Sequence, residues 1–200
     1  MRRNIKYIED SLAEIRDVTA EFLNDSNLHR QIEAAAEMCI SAISTQNKVL
    51  IAGNGGSAAD AQHLAAELVG RFEAERRALA AIALCVDTSI ITSLSNDYAY
   101  EKIFSRQIEA IGRQGDVLIV ISTSGRSRNI IAAVNAAKEG SIKTIALCGP
   151  NPDPTLAKVD CLISANAGKT QRIQEVHQKI YHIMAGIIEA EFKSTECVLP

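Results

Sequence analysis

The 200-residue sequence contains no apolar run approaching the roughly 18 residues of a membrane-spanning helix, so no such span is expected. Its first residues, Met-Arg-Arg-Asn-Ile-Lys, lead into acid-studded amphipathic sequence without the apolar core of a signal peptide. The expectation is a soluble, unexported, cytoplasmic protein with no membrane partner. An excess of either charge is also missing. With 21 Lys+Arg against 24 Asp+Glu the net charge is -3, and the basic clusters (Arg2-Arg3, Arg76-Arg77, Arg126 with Arg128) are small and separated. That leaves no electrostatic footprint for nucleic acid. The five cysteines, Cys39, Cys85, Cys148, Cys161 and Cys197, are odd in number, widely spaced and mostly set in apolar runs. They argue for buried free thiols in a reducing compartment over a disulfide framework or a zinc ribbon. No internal repeat or low-complexity tract is found, and the length suits one domain burying about two-thirds of its unfolded surface.

What is present is organised around Val49 to Glu67. A short apolar run reads as a buried strand, Gly53, Gly55 and Gly56 as a turn, and the remainder as a helix. Glycines there allow positive φ and close approach to a ligand, and Ser57 followed by Asp60 reads as a capping box opening the helix. His63 and Glu67, four apart, project from one face of that helix.

Two amphipathic helices precede this element. The first has apolar residues at Ile5, Ile8, Leu12, Ile15, Val18 and Phe22, and the second runs from Leu28 to about Ile43. They form a helical arm (1–46) before an α/β core (47–192), within one domain (1–192) followed by a loose tail (193–200). An apolar stripe needs a partner, and another subunit is the expected one. Strand-like runs follow at Ala80–Leu84, Val117–Ile121, Thr144–Cys148 and Cys161–Ser164, separated by helical patterns near Ser89–Leu94, Glu101–Ile111 and Ile130–Lys138. All-apolar strands alternating with helices predict an α/β fold: a doubly wound, flavodoxin-like parallel sheet of five strands with helices on both faces. A final long helix from Lys169 to about Phe192 carries Ile173, Val176, Ile180, Ile183, Ile187 and Ile188 on its apolar side. Gln174, His177, Gln178, Tyr181 and His182 share a neighbouring stripe.

In such folds ligands bind at the carboxyl ends of the strands, where two loops are unusual in composition. One is Gly53–Ser57. The other, Ile-Ser-Thr-Ser-Gly-Arg-Ser-Arg-Asn, offers the hydroxyls of Ser122, Thr123, Ser124 and Ser127 and the amides of a helix start, which together suit a phosphate monoester. It lacks the Gly-Lys-Ser/Thr of a nucleoside triphosphate loop. A capped Ser/Thr-rich turn is the plainer alternative. Alone, a His and a Glu four apart are more often a surface pair; the joint occurrence of two loops and two polar helix faces argues for a site.

The glycine-asparagine turn, the helix Ala-Asp-Ala-Gln-His-Leu-Ala-Ala-Glu, the pair Asn96-Asp97, the Ser-Thr-Ser-Gly loop and the terminal Arg-Ile-Gln-Glu-Val-His together resemble the sugar isomerase (SIS) family, and within it the phosphoheptose isomerases. The resemblance spans nearly the whole chain. It implies aldose–ketose isomerisation of sedoheptulose 7-phosphate, the first step toward lipopolysaccharide heptose, in a cytoplasmic homotetramer with one Zn2+ per subunit. It makes His63, Glu67, Gln174 and His182 the zinc ligands and Glu67 with His182 the acid/base pair. Sugar contacts fall to Asn54, Gly55, Gly56, Asn96 and Asp97, with Glu67 and Gln174 also touching substrate, and Ser122, Thr123, Ser124 and Ser127 cradle the phosphate. The chain departs from the family at Arg126 in the phosphate loop and at Gln171, where some members carry an acid. A non-catalytic SIS homotetramer binding a replication-initiator protein, a sugar-phosphate sensor and an isomerase of another ketose phosphate are the competing readings. The presence of His63, Glu67 and His182 favours an enzyme.

Overall fold

A computed structural model describes residues 2–193, with side chains from Asn4 onward. Cys197 and the expected tail beyond Lys193 lie outside the described residues. Five parallel strands form one sheet in the order β2-β1-β3-β4-β5. They are β1 (Val49–Gly53), β2 (Ala81–Ala83), β3 (Val117–Ser122), β4 (Lys143–Cys148) and β5 (Cys161–Ser164). The three inner strands are buried along nearly their whole length, as continuous apolar runs in a sheet covered on both faces require. In register Gly53 stands opposite Ile121, and Ser122 opposite Cys148. The turns leaving β1 and β3 are therefore neighbours at the point where strand order reverses, the ligand crevice of doubly wound folds.

Among the described residues seven α-helices accompany the sheet: α1 (Arg2–Asn24), α2 (Ser26–Ser44), α3 (Gly56–Val69), α4 (Thr88–Asp97), α5 (Ser105–Ile111), α6 (Arg128–Glu139) and α7 (Thr170–Phe192). One core layer joins α2, α3 and α7 to the sheet, and a second packs α5 and α6 on the opposite face. The expected single helix from Glu101 to Ile111 is broken. A 3-10 turn at Tyr100–Lys102 is followed by Ile103 and Phe104, both buried, before α5 begins. Adjacent buried positions point about 100° apart on a regular helix, so turning the backbone lets both reach the core.

The two N-terminal helices differ in surroundings. Helix α2 buries Leu28, Ile32, Ala35, Ala36, Cys39, Ala42 and Ile43, and packs mainly on α7, so its partner lies within the chain. Helix α1 touches α7 through Glu14, which pairs with Lys169 and Arg172. Its Ile5, Tyr7, Ile8, Leu12 and Leu23 are each more than half exposed. On α7 the expected Ile173, Val176, Ile180 and Ile188 are buried and Ile183 is exposed, while His177, Tyr181 and Met184 widen the buried face.

Asp116 is a buried tie between strands. Its carboxylate accepts from the backbone amides of Lys48 (3.0 Å) and Arg113 (2.8 Å) and from Lys48 Nζ (2.6 Å), and its carbonyl accepts from Lys143 N (3.1 Å). The starts of β1, β3 and β4 thus meet at one residue, the first two at its side chain. Removing it orphans two amides and an ammonium in a nearly dry setting. Asp116→Ala is expected to lower the unfolding free energy by about 3 kcal/mol in a urea titration. A loss under about 1 kcal/mol would refute this role.

Candidate functional site

The turn after β1 is built by three glycines for different reasons. Gly55 has φ +56°, a conformation that L side chains rarely adopt. Gly53 and Gly56 are needed for space: a Cβ at Gly53 would stand 2.2 Å from Ser57 O, and one at Gly56 would stand 1.9 Å from Gln174 Nε2. Gln174, on α7, therefore lies directly on the turn. The expected capping box is absent. Gly55 precedes α3 with no side-chain cap; its carbonyl accepts from Ala58 and Ala59, while Ser57 is buried within the helix. Asp60 instead faces α7, where its Oδ1 lies 3.4 Å from the Tyr181 hydroxyl.

Helices α3 and α7 run side by side, which brings His63 and Glu67 against His182. Among the described residues, ligand atoms of these three lie within 4.8 Å of one another and could hold a metal ion. His63 Nε2 is 2.9 Å from Glu67 Oε1, and His63 Nδ1 is 3.1 Å from the Tyr181 hydroxyl. The ring of His182 stacks edge-on against His63 at 4.9 Å and Tyr181 at 4.8 Å. Its Nε2 is buried without a hydrogen-bond partner. Burial, and secondarily the neighbouring His63, lower the His182 pKa, so the neutral ring with a free lone pair is favoured. Two imidazoles and a carboxylate are the donor set of many catalytic zinc sites, and an orphaned imidazole nitrogen fits an electron-pair acceptor.

The hydrogen-bond chain behind His63 can follow its tautomer. With Nε2–H donating to Glu67, Tyr181 donates to Nδ1. With the Nε2 lone pair given away, Nδ1–H donates to the tyrosine oxygen and the hydroxyl turns to Asp60. Burial raises the Asp60 pKa, opposed by the bond from Tyr181. The segment after α3 is fixed by a buried carboxylate. Glu189 accepts from the amides of Phe72, Glu73 and Ala74 at 2.8, 2.7 and 2.7 Å, with Arg76 alongside at 3.6 Å. Arg76 in turn donates to the backbone carbonyl of Glu67 at 2.6 Å. This holds Phe72 against His182, ring centres 5.7 Å apart.

The second loop follows β3. Ser122 is buried and its Oγ accepts from Gly125 N at 3.1 Å; Thr123 and Ser127 are half-buried and Ser124 is exposed. Ser127 precedes α6 without a side-chain cap bond, leaving its hydroxyl and the first-turn amides beside the loop. Arg126 is directed to the next turn, donating to Asn151 O at 3.3 Å, and Arg128 pairs with Glu101 at 2.9 Å. A reciprocal amide pair joins the two loops: Asn54 Nδ2 donates to Asn129 Oδ1 (2.9 Å) and Asn129 Nδ2 to Asn54 Oδ1 (2.8 Å). Tyr100 donates to the same Asn54 oxygen at 3.0 Å.

Outside the two loops, the residues singled out in the sequence fall into three groups. His63, Glu67 and His182 meet directly. Gln174, eight residues before His182, is about 12 Å away along the helix axis and rests on Gly56 at the other end of the same groove. Asn96 and Asp97 hydrogen-bond to each other at 2.9 Å on the exposed end of α4. Asn129, Tyr100, Asp60, Tyr181 and Glu189 were not singled out as site residues. A polar residue in the first turn of a helix following a hydroxyl-rich loop was the available signal for Asn129. Among the described residues no helix is long and apolar enough to cross a membrane.

A family model described as "SIS domain" matches residues 10–149. The chain is 46% identical over 187 residues to the phosphoheptose isomerase of Burkholderia pseudomallei, covering 94% of this chain and 95% of that protein. It is 45% identical over 188 residues to that of Nitratiruptor sp., covering 94% of this chain and all of the relative. Among solved structures, the phosphoheptose isomerase of Neisseria gonorrhoeae superposes with a TM-score of 0.86 at 40% identity, over 92% of this chain and 98% of that one. The Francisella tularensis enzyme gives 0.89 at 34% identity, over 94% and 98%.

His177 sits against the end of β4. Fully buried, it bonds the carbonyl of Cys148 through Nε2 at 3.1 Å, and its Nδ1 has no partner. Burial lowers its pKa to about 4, because a protonated ring would bury an unanswered N–H. The unfolded chain takes up this proton near pH 6.5 and the folded one only near 4. Stability from the neutral ring is therefore complete above pH 6.5 and lost as pH falls to 4, a change on the order of 3 kcal/mol. In His177→Gln that share of the acid dependence is expected to vanish from urea midpoints measured between pH 7 and 4. Parallel curves for the two proteins would disprove it.

Proposed function

The chain belongs to the SIS domain family, and we propose that it is a phosphosugar aldose–ketose isomerase converting D-sedoheptulose 7-phosphate to D-glycero-D-manno-heptose 7-phosphate. The convergence of Glu67 and His182 from two helices carries the reading. Moving a carbonyl between C2 and C1 needs one group to move a carbon-bound proton and another to serve the two oxygens. In this assignment Glu67 takes the proton from C1 and returns it to C2. His182 gives a proton to O2 as the enediol forms, and takes one from O1 as it collapses. A lowered pKa makes protonated His182 a ready donor to O2 and leaves the neutral ring to take the proton from O1, and Phe72 and Tyr181 restrict water around it.

His63, Glu67 and His182 would hold a zinc ion, which would supply Lewis-acid polarisation of the sugar oxygens, and the Gln174 amide at the Gly56 end of α3 would be a donor to the sugar. Ser122, Thr123, Ser124 and Ser127 with the start of α6 would bind the phosphate, and the turn Asn54-Gly55-Gly56 with Asn96 and Asp97 the sugar. Asn54 already accepts two hydrogen bonds on its side-chain oxygen and donates one. Its contribution to the sugar is then the second amide hydrogen or the backbone.

The exposed apolar residues of α1 support burial against further copies of the chain in a homotetramer. Four cysteines that are free among the described residues suit the cytoplasm, and the product would feed heptose synthesis for lipopolysaccharide.

Purified protein with zinc is expected to turn over sedoheptulose 7-phosphate, and Glu67→Gln to lower kcat by roughly 100-fold or more. An inactive wild type that instead binds a replication protein tightly would sink the enzyme reading. His63→Ala is expected to lose most bound zinc by elemental analysis; undiminished metal would remove His63 from the ligand set.

A further inference from the structure

The three segments assigned to substrate are tied to one another at a single point, the side chain of Asn54. Through Asn129 it is bonded to the first turn of α6, which directly continues the hydroxyl loop. Through Tyr100 it is bonded to the 3-10 turn that follows Asn96 and Asp97. Arg128 and Glu101 link those same two segments again at the surface, 2.9 Å apart. Asn129 is 2% exposed, and its side-chain hydrogen bonds among the described residues are the two with Asn54. A buried primary amide is costly unless answered, and here each amide answers the other. The pair spans the crevice between β1 and β3, the neighbouring strands whose turns carry the two ends of the proposed site.

We propose that Asn129 is a positioning residue which, through its reciprocal amide pair with Asn54, sets the spacing between the phosphate-binding loop and the turn that holds the reacting end of the sugar. The inference rests on the isomerase reading and adds to it the residue that makes two half-sites act as one. A phosphorylated open-chain sugar is anchored at one end and reacts at the other. An error in the relative setting of the two loops is then felt in turnover even when each loop is intact, because misplacement of reacting atoms by about 1 Å can cost up to 100-fold. Each loop alone keeps its own donors: the hydroxyl loop its serines, the glycine turn its φ at Gly55. Asp at position 129 would face the Asn54 oxygen with a second oxygen, so it should do no better than Ala.

The test compares wild type, Asn129→Ala, Asn129→Asp and Tyr100→Phe for kcat/KM on sedoheptulose 7-phosphate and for competitive inhibition by inorganic phosphate, which reads the phosphate loop by itself. Both Asn129 variants are expected to lose roughly 10-fold or more in kcat/KM while the phosphate Ki stays within about twofold. Tyr100→Phe, which removes one exposed bond to the same oxygen, is expected to lose roughly threefold with the same unchanged Ki. Folded Asn129 variants with wild-type kcat/KM, or with a Ki that rises in step with the loss, would overturn the inference and leave the isomerase reading standing. If the Asn129 variants do not fold, an unchanged Tyr100→Phe overturns it equally. A wild type that neither turns over the sugar phosphate nor binds phosphate overturns the functional reading, and the inference with it.

Discussion

The side-by-side packing of α3 and α7 is the constraint on which the candidate site depends. Four contacts follow one another along the pair and its continuation: Gln174 on Gly56, Tyr181 on Asp60 and His63, His182 on His63, and Glu189 on the segment after α3. The first requires that position 56 carry no side chain, and the last ends the groove with a carboxylate holding three amides. Between them the imidazoles and Glu67 have little freedom to separate. A rotation of α7 by one residue, about 100°, would dismantle all four contacts, so the site is as well defined as the helix packing itself.

That packing also decides which polar groups are buried. Glu189 and Arg76 are nearly dry, yet neither relies on the other alone: the carboxylate is met by backbone amides and the guanidinium by backbone carbonyls. A charge answered mainly by peptide dipoles fixes a loop more tightly than an ion pair between two long side chains, because one of the partners is the loop. Phe72 is held over His182 by this means, and the carbonyl of Glu67 is tied down by the same arginine.

The fold was largely legible because its signals are local. Continuous apolar runs marked the strands to within a residue or two, and the 3.6-residue pattern marked the helices. Of the residues proposed for chemistry, His63, Glu67 and His182 were legible through the family resemblance, since spacing alone made the first two a surface pair and placed the third in a polar stripe. What stayed hidden was set by distance along the chain. Asn54 and Asn129 are 75 residues apart, His63 and Tyr181 118, and Phe72 and Glu189 117. No window of sequence contains such pairs. The capping box failed for a different reason: its spacing was right, but a glycine turn started the helix without a side-chain cap and left Asp60 free to face α7. The buried face of α7 is wider than the expected stripe because Tyr181 and His177, polar at one atom, bury the rest of their surface like apolar residues.

The parallel arrangement of the sheet has one more effect. Every strand points the same way, so α3 and α6 both begin at the carboxyl edge, and their peptide dipoles add there instead of cancelling. A chain with a net charge of -3 can therefore draw a dianionic ligand to one rim by the orientation of its backbone, without a basic patch to do so. Unlike lysines or histidines, peptide groups do not titrate and cannot be substituted away. The attraction at that rim is a property of the topology, as constant with pH as the sheet itself.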